Sequence, residues 1–416
     1  MKRLLPLLLL CACAGSLVDH DGASSTTPGV VVLPPTQTCL DTCVPPAGAK
    51  QHCAGDVCGY ECQNGTLRTP LGSSPCSVPS AVAAGGNHTC AIAGGQVLCW
   101  GDNGVKQLGV DTPAASGTPV QVPGLPATAD RIAASTTQSC AHFASGAVWC
   151  WGAAQVPHAI SGISGNVNAI AAGAAHACAA TDSAVFCWGD NSLGQLGEPP
   201  GAGSATAEPV PGVPGAKVLA AGLNHTCAGD MTGSQLWCWG DNSTGQNGTG
   251  SITPSSPPAV VQRAGAALVA AGENHTCSIT AGTSVSLACW GANANHQVDN
   301  SGVDQTQPKG ESVAQPSTGI AGGAGHTCAI ESSGADVACW GLNVNGQLGA
   351  SDTAPKTNPQ RVVSLTGVAS ISAGSNHTCA LTQLKTLMCW GANESGQLGN
   401  GTVSGGSPAP VPVTGL

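Results

Sequence analysis

"HTCALTQLKTLMCWGANESGQLG", residues 377–399, sets His377 and Cys379 before a short polar turn and Cys389-Trp390-Gly391 after it. Taken alone, the stretch suits three metal ligands, a catalytic Cys-His pair, or a hairpin stapled by a disulfide. The rest of the chain decides, because the same text recurs. His-Thr-Cys stands at His88-Thr89-Cys90, His225-Thr226-Cys227, His275-Thr276-Cys277 and His326-Thr327-Cys328, and two variants, Gln138-Ser139-Cys140 and His176-Ala177-Cys178, fill the gaps. Each is followed 9 to 12 residues later by Cys-Trp-Gly, at Cys99, Cys150, Cys187, Cys238, Cys289, Cys339 and Cys389. Seven copies result, mostly 49 to 51 residues apart, with one short spacing of 38 between the second and the third. A repeat of this period is the signature of a propeller or solenoid.

Each copy reads as strands. Ahead of the His come small residues and usually Gly, as in Val82-Ala83-Ala84-Gly85 and Ile371-Ser372-Ala373-Gly374, which suits strands crowded near a central axis. Ahead of Cys-Trp, both alternating positions are apolar: Val97 and Leu98, Val185 and Phe186, Leu387 and Met388. Alternate residues point to opposite faces of a strand, so this strand is buried on both sides, as between two neighbouring sheets. A fourth element of the type Pro119-Val120-Gln121-Val122-Pro123-Gly124-Leu125 precedes the later copies. The first copy lacks it, and Pro410 to Leu416 supplies it at the end of the chain. The expectation is an all-β, seven-bladed propeller over residues 78–416, closed by pairing of the C-terminal strand with the first blade.

Composition agrees. Only 8% of residues are charged, while 59 Gly and 29 Pro mark many short elements joined by turns rather than amphipathic helices. The formal charge of −10 and the scattered Lys and Arg offer no basic stripe for phosphates, so no nucleic-acid partner is expected.

The N-terminal residues point to export. Lys2 and Arg3 precede the apolar run Leu4 to Leu10, too short to span a bilayer, and Leu10-Cys11-Ala12-Cys13 resembles a bacterial lipobox. Residues 1–12 are therefore expected to be a signal peptide and Cys13 the lipidated residue, with 13–38 a lipid anchor and flexible linker rich in Ser, Thr, Gly and Pro. Ordinary signal-peptidase cleavage nearby is the alternative. The expected location is the bacterial cell envelope, at the outer membrane or cell surface, with the lipid as the sole membrane contact. Setting aside Cys11 and Cys13 leaves 20 of 22 cysteines, an even number that reads as a disulfide framework in an oxidising compartment. Residues 39–76 form a small cysteine-rich module holding Cys39, Cys43, Cys53, Cys58, Cys62 and Cys76, whose pairing the sequence leaves open. Zinc competes there, but no Cys-x2-Cys pair occurs.

At this point the repeat is recognisable. Gly-x-x-His-Thr-x-Ala-Leu followed by Cys-Trp-Gly-x-Asn-x-x-Gly-Gln-Leu-Gly, best kept in Gly374–Gly399, Gly323–Gly349 and Gly173–Gly197, resembles the regulator of chromosome condensation repeat family. The resemblance covers residues 78–416 and implies a closed seven-bladed propeller. Its founding eukaryotic member is a nuclear guanine-nucleotide exchange factor that contacts chromatin. An acidic, exported, cysteine-bearing chain meets neither partner, so exchange and chromatin binding rank below other readings.

Seven repeats also bear on the candidate chemistry. The seven intra-copy pairs, Cys90-Cys99, Cys140-Cys150, Cys178-Cys187, Cys227-Cys238, Cys277-Cys289, Cys328-Cys339 and Cys379-Cys389, sit across tight hairpins and read as disulfides. A metal would need reduced thiolates at every copy, and Gln138 is a poor ligand. The histidines are expected to bond loop carbonyls. Asp190 and Asp241 lie in loops resembling calcium loops, although Ala292, Leu342 and Ala392 replace them elsewhere, which favours Asx turns. No catalytic residues, cofactor or metal are assigned. The expectation is a monomeric, surface-displayed binding or scaffold module for an unknown protein or glycan. An enzyme with its site in the propeller channel is the alternative.

Overall fold

A computed structural model describes residues 50–54, 57–61, 67–68, 78–253, 255–261, 267–280, 286–310, 317–331, 336–403 and 405–416. The signal peptide, Cys13, the linker, Cys39, Cys43, Cys62 and Cys76 lie outside the described residues. The chain divides into two compact units, Met1–Val78 and Pro79–Leu416. In the first, strands Lys50–Ala54, Val57–Glu61 and Leu67–Arg68 form an antiparallel sheet in which Cys53 and Cys58 are Cα partners.

The second unit is a propeller of seven four-stranded antiparallel blades, each built from consecutive strands, here a to d. Blade 1 runs Pro79–Ala84, His88–Ala93, Gln96–Asp102 and Ala115–Gln121. Blade 7 runs Val368–Ala373, His377–Thr382, Leu387–Gly391 and Ser407–Pro412. The small-residue a strands face the axis: Ala84, Ala172, Ala221, Ala271 and Ala373 line the central channel. Chain direction places the a–b turns and c–d loops on one end of the ring, called the loop face, and the b–c turns on the other.

The apolar alternation along strand c is realised as two contacts. In blade 1, Val97 and Cys99 pack against blade 2, with Ala141, Phe143 and Trp151. Leu98 and Trp100 pack against blade 7, with Leu381, Leu387 and Leu398. The pattern holds around the ring, so the apolar core is a set of seven clusters, one at each junction between blades. The Gly of Cys-Trp-Gly ends this strand with a kink. At Gly391 φ is +104°, and a Cβ there would lie 2.5 Å from the Asn376 carbonyl oxygen, so no larger residue fits.

The structure corrects the expected closure. Ser407–Pro412 pairs with the c strand of blade 7, Met388 opposite Pro412 and Cys389 opposite Val411, and not with blade 1. The Pro-x-Val element is the outer strand of the preceding copy, as where Val120 pairs with Cys99. Among the described residues no strand is exchanged, so blades 7 and 1 meet through side chains and loops: Ala91, Trp100, Cys389, Val413 and Leu416 share one apolar cluster. Ala84 N donates to Ser372 Oγ (2.9 Å), and Gly401 N donates to the Gly117 carbonyl (2.9 Å). Burial of two-faced strands closes the ring without a shared sheet.

Candidate functional site

Each anchor histidine turns out to be a link between blades. His88 Nε2 lies 2.7 Å from Ser139 Oγ, His176 2.8 Å from Thr226 Oγ1 and His225 2.9 Å from Thr276 Oγ1. His275 reaches Thr327 (2.8 Å), His326 reaches Thr378 (2.9 Å) and His377 reaches Thr89 (2.8 Å). The partner is thus the hydroxyl of the next blade, not a loop carbonyl as the sequence suggested. These hydroxyls donate their one proton onward: Thr89 to the Gln397 carbonyl (2.9 Å), Thr276 to Gln246 (2.9 Å), Thr327 to Gln297 (2.7 Å) and Thr378 to Gln347 (3.0 Å). Each of these four hydroxyls must then accept from its imidazole, which fixes the proton on Nε2, and in all six histidines Nδ1 has no partner among the described residues.

Burial holds these rings neutral. Desolvation pushes His88, His225, His326 and His377 down to about 3 and His176 and His275 to about 4. The glycine three residues ahead makes room for the ring, since a Cβ on Gly374 would lie 2.4 Å from His377 Cε1.

The junction between the second and third copies departs from this pattern at three coupled positions. Blade 3 carries Ala177 where a hydroxyl would be, so a histidine in blade 2 would have no acceptor. Gln138 stands there instead and donates to the carbonyls of Gly173 (3.0 Å) and His176 (2.8 Å) in blade 3. With no imidazole to accommodate, Ser135 replaces the glycine.

The loop face is shaped by the Asn-x-x-Gly-Gln-Leu-Gly turns. Asn393 Oδ1 accepts from Leu398 N (3.0 Å), and Gln397 Oε1 accepts from Ser395 N (2.9 Å); the same bonds hold Asn103 with Leu108 and Gln107 with Val105. Five of these turns present the Gln main-chain carbonyl to the next blade's indole. Trp100, Trp151, Trp239, Trp290 and Trp390 donate to Gln397, Gln107, Gln195, Gln246 and Gln347 at 2.8–3.0 Å. In the loops resembling calcium sites, Asp190 accepts from Ser192 N (3.2 Å), Ser192 Oγ (2.6 Å) and Gln195 Nε2 (2.7 Å), the bonding of an Asx turn. Among the described residues no group of three or more His, Cys, Asp or Glu is placed to hold a metal.

The seven intra-copy cysteine pairs face one another at Cα separations of 4.1 or 4.2 Å and are joined as disulfides, fully or nearly fully buried. Within the channel lining one carboxylate occurs, Glu273, which accepts from Ser375 Oγ (2.6 Å) two blades away.

These features match a known repeat. The regulator of chromosome condensation (RCC1) repeat is recognised at residues 94–142, 167–195, 336–381 and 368–397. The chain carries RCC1 repeats. Among its relatives is the probable E3 ubiquitin-protein ligase HERC4 of Homo sapiens, 29% identical over 203 residues, which cover 44% of this chain and 19% of that protein. The chain thus spans less than a fifth of that relative. Among solved structures, Prp20p of Saccharomyces cerevisiae is 20% identical with a TM-score of 0.66, over 82% of this chain and 88% of that one. Human WBSCR16 gives a TM-score of 0.68 at 20% identity, over 77% and 94%. At these identities the likeness speaks for the RCC1-type fold.

The loop face carries what is left for function. Large apolar side chains stand exposed in the c–d loops of blades 3 to 7: Leu193 (36%), Ile252 (61%), Val303 (65%), Val344 (58%) and Val403 (50%). On the opposite end Met231 (44%) and Leu384 (73%) occupy b–c turns. No sequence pattern signals this, because each apolar residue is isolated in its own copy and only the ring brings the loops to one end.

Proposed function

We propose that this chain is a surface-displayed binding propeller of a bacterial lipoprotein that recognises a protein through its loop face. The observation that carries the reading is the row of exposed aliphatic side chains, Ile252, Val303, Val344 and Val403, one in the c–d loop of each of four successive blades. Burying such side chains against a partner is favourable at roughly 25 cal/mol per Å2. Aliphatic rather than aromatic exposure favours protein over glycan, since sugar faces stack on rings. The lipobox-like Cys13 and the even count of remaining cysteines support display in an oxidising compartment. Prp20p is described with binding properties to Gsp1p and histones, which makes macromolecular recognition by this fold a natural use. The test is affinity capture from bacterial envelopes with intact chain, with an Ile252→Lys/Val303→Lys/Val344→Lys variant, and with Met231→Lys/Leu384→Lys. A protein partner lost only with the loop-face variant is the expected result. Equal capture by all three chains, or turnover of a substrate by the purified protein, would overturn it.

A further inference from the structure

Blade 2 lacks the turn that its six counterparts carry. Its strands Val148–Gly152 and Gln155–Ala159 are joined by Ala153 and Ala154 alone, with φ of +47° and +67°, a two-residue hairpin turn. That deletion accounts for the short spacing in the sequence. It also leaves blade 3 without a covering turn. Loops of blades 4 and 6 reach the next a–b turn, Thr244 Oγ1 donating to the Asn274 carbonyl (3.1 Å) and Gln347 Nε2 to Asn376 Oδ1 (3.4 Å). From blade 2 this turn receives Thr137 Oγ1, which donates to the Ala174 carbonyl (2.7 Å), but Ala175 stays exposed, as are Ala153 and Ala154.

Beneath this gap lies Trp188. Its side chain packs with Cys140, Cys150, Phe186 and Ala207 and is only 5% exposed, and its indole N–H makes no hydrogen bond to the described residues but, unlike that of Trp340, is open to solvent. Trp340 also lacks such a bond, but it is fully buried and the Gln297 turn lies over its strand. At Trp188 the acceptor is missing because the segment that supplies it is missing. Ala177 removes the second donor, the Thr hydroxyl, so the place offers one N–H instead of two.

We propose that the notch over Trp188 and Ala175 seats a turn from a partner protein, whose main-chain carbonyl accepts from Trp188 Nε1. The other junctions define the occupant: five indoles each hold the carbonyl of a compact Asn-x-x-x-Gln-x-Gly turn. Small side chains at Ala153, Ala154 and Ala175 leave room for main chain to approach closely. This deepens the protein-recognition reading above and rests on it.

The test uses the full chain labelled with 15N at its tryptophan indoles, the Trp188 signal being assigned by its loss in Trp188→Phe. The probe is a cyclic peptide carrying Asn-Glu-Ser-Gly-Gln-Leu-Gly, the sequence of residues 393–399. Saturable movement of the Trp188 indole signal is expected, with binding, read by titration calorimetry on both chains, about tenfold weaker in Trp188→Phe, as for one buried hydrogen bond. In a second variant the same seven residues are inserted between Ala153 and Ala154. Its Trp188 signal should be shifted beforehand and silent to peptide. An unmoved Trp188 signal at millimolar peptide, or equal movement with a scrambled cyclic peptide, would overturn the proposal. If the insertion variant captures an envelope partner as well as the intact chain does, the notch proposal falls while loop-face recognition stands.

Discussion

His377 Nε2 stands 2.8 Å from Thr89 Oγ1, joining the last blade to the first across 288 residues of chain. The same link recurs at five other junctions, and at the remaining one Gln138 bonds main-chain carbonyls. The closing junction is therefore held by the same means as the internal ones.

Removing one member of this pair exposes its worth. Thr89→Ala strands the buried His377 N–H and should cost about 1–3 kcal/mol, seen as a lower urea midpoint. Adding His377→Gln reproduces the natural pairing of Gln138 with Ala177 and should recover part of that loss. A double variant no more stable than the sum of the two single losses would show that the second copy's exceptions are unconnected.

Acid should unfold the ring earlier than its carboxylates alone would require. Six buried histidines titrate at about 3 to 4 when folded, against an ordinary value of 6.5 when unfolded. The unfolded chain thus binds more protons below pH 6.5. Stability is full above that pH and is lost as the pH falls toward the folded values. Urea unfolding followed between pH 7 and 4 should show uptake of up to six protons per chain. Replacing His225 and His326 by Gln should flatten the profile, whatever it does to stability at pH 7.

Gly391→Ala tests the kinked strand end. With φ at +104° and the Asn376 carbonyl 2.5 Å from the added Cβ, the cost should be about 1–3 kcal/mol or more, whereas Gly146→Ala, at φ +88° with open space around it, should cost less. A thermal melt of each variant reads the difference.

Thiol titration of the unfolded, unreduced chain should find none of the fourteen propeller cysteines free. Replacing Cys328 and Cys339 together by Ala should cost roughly 2.5–3 kcal/mol on loop-entropy grounds, for a loop closed over a separation of 11 residues. Many free thiols would return these cysteines to the metal reading.

Cys13→Ala should abolish incorporation of radiolabelled palmitate and release the chain from membranes. Label retained in that variant would remove the lipid anchor from the proposal.

The repeat count, the two-faced c strand and the hairpin partners of the cysteines were legible because each is written within one copy. The role of Pro119 to Leu125 was not. The same strand can begin one blade or complete the one before it, and only the pairing of Val120 with Cys99 separates the two. The histidine partner was hidden for a related reason. His377 and Thr89 face each other only once the ring is closed, and no local pattern pairs them. Gln138, Ala177, Ser135 and the spacing of 38 were each visible as an oddity. Their common cause needed the offset of one blade that sets Gln138 opposite blade 3.

Because every sheet is one uninterrupted stretch of chain, a whole blade is also a whole segment of coding sequence. Duplication or loss of such a segment adds or removes an intact sheet without severing any strand pairing, and the newcomer meets neighbours already shaped to receive its Trp and its hydroxyl. A ring closed by an exchanged strand lacks that freedom at its seam. Here every boundary between blades falls between sheets and never within one.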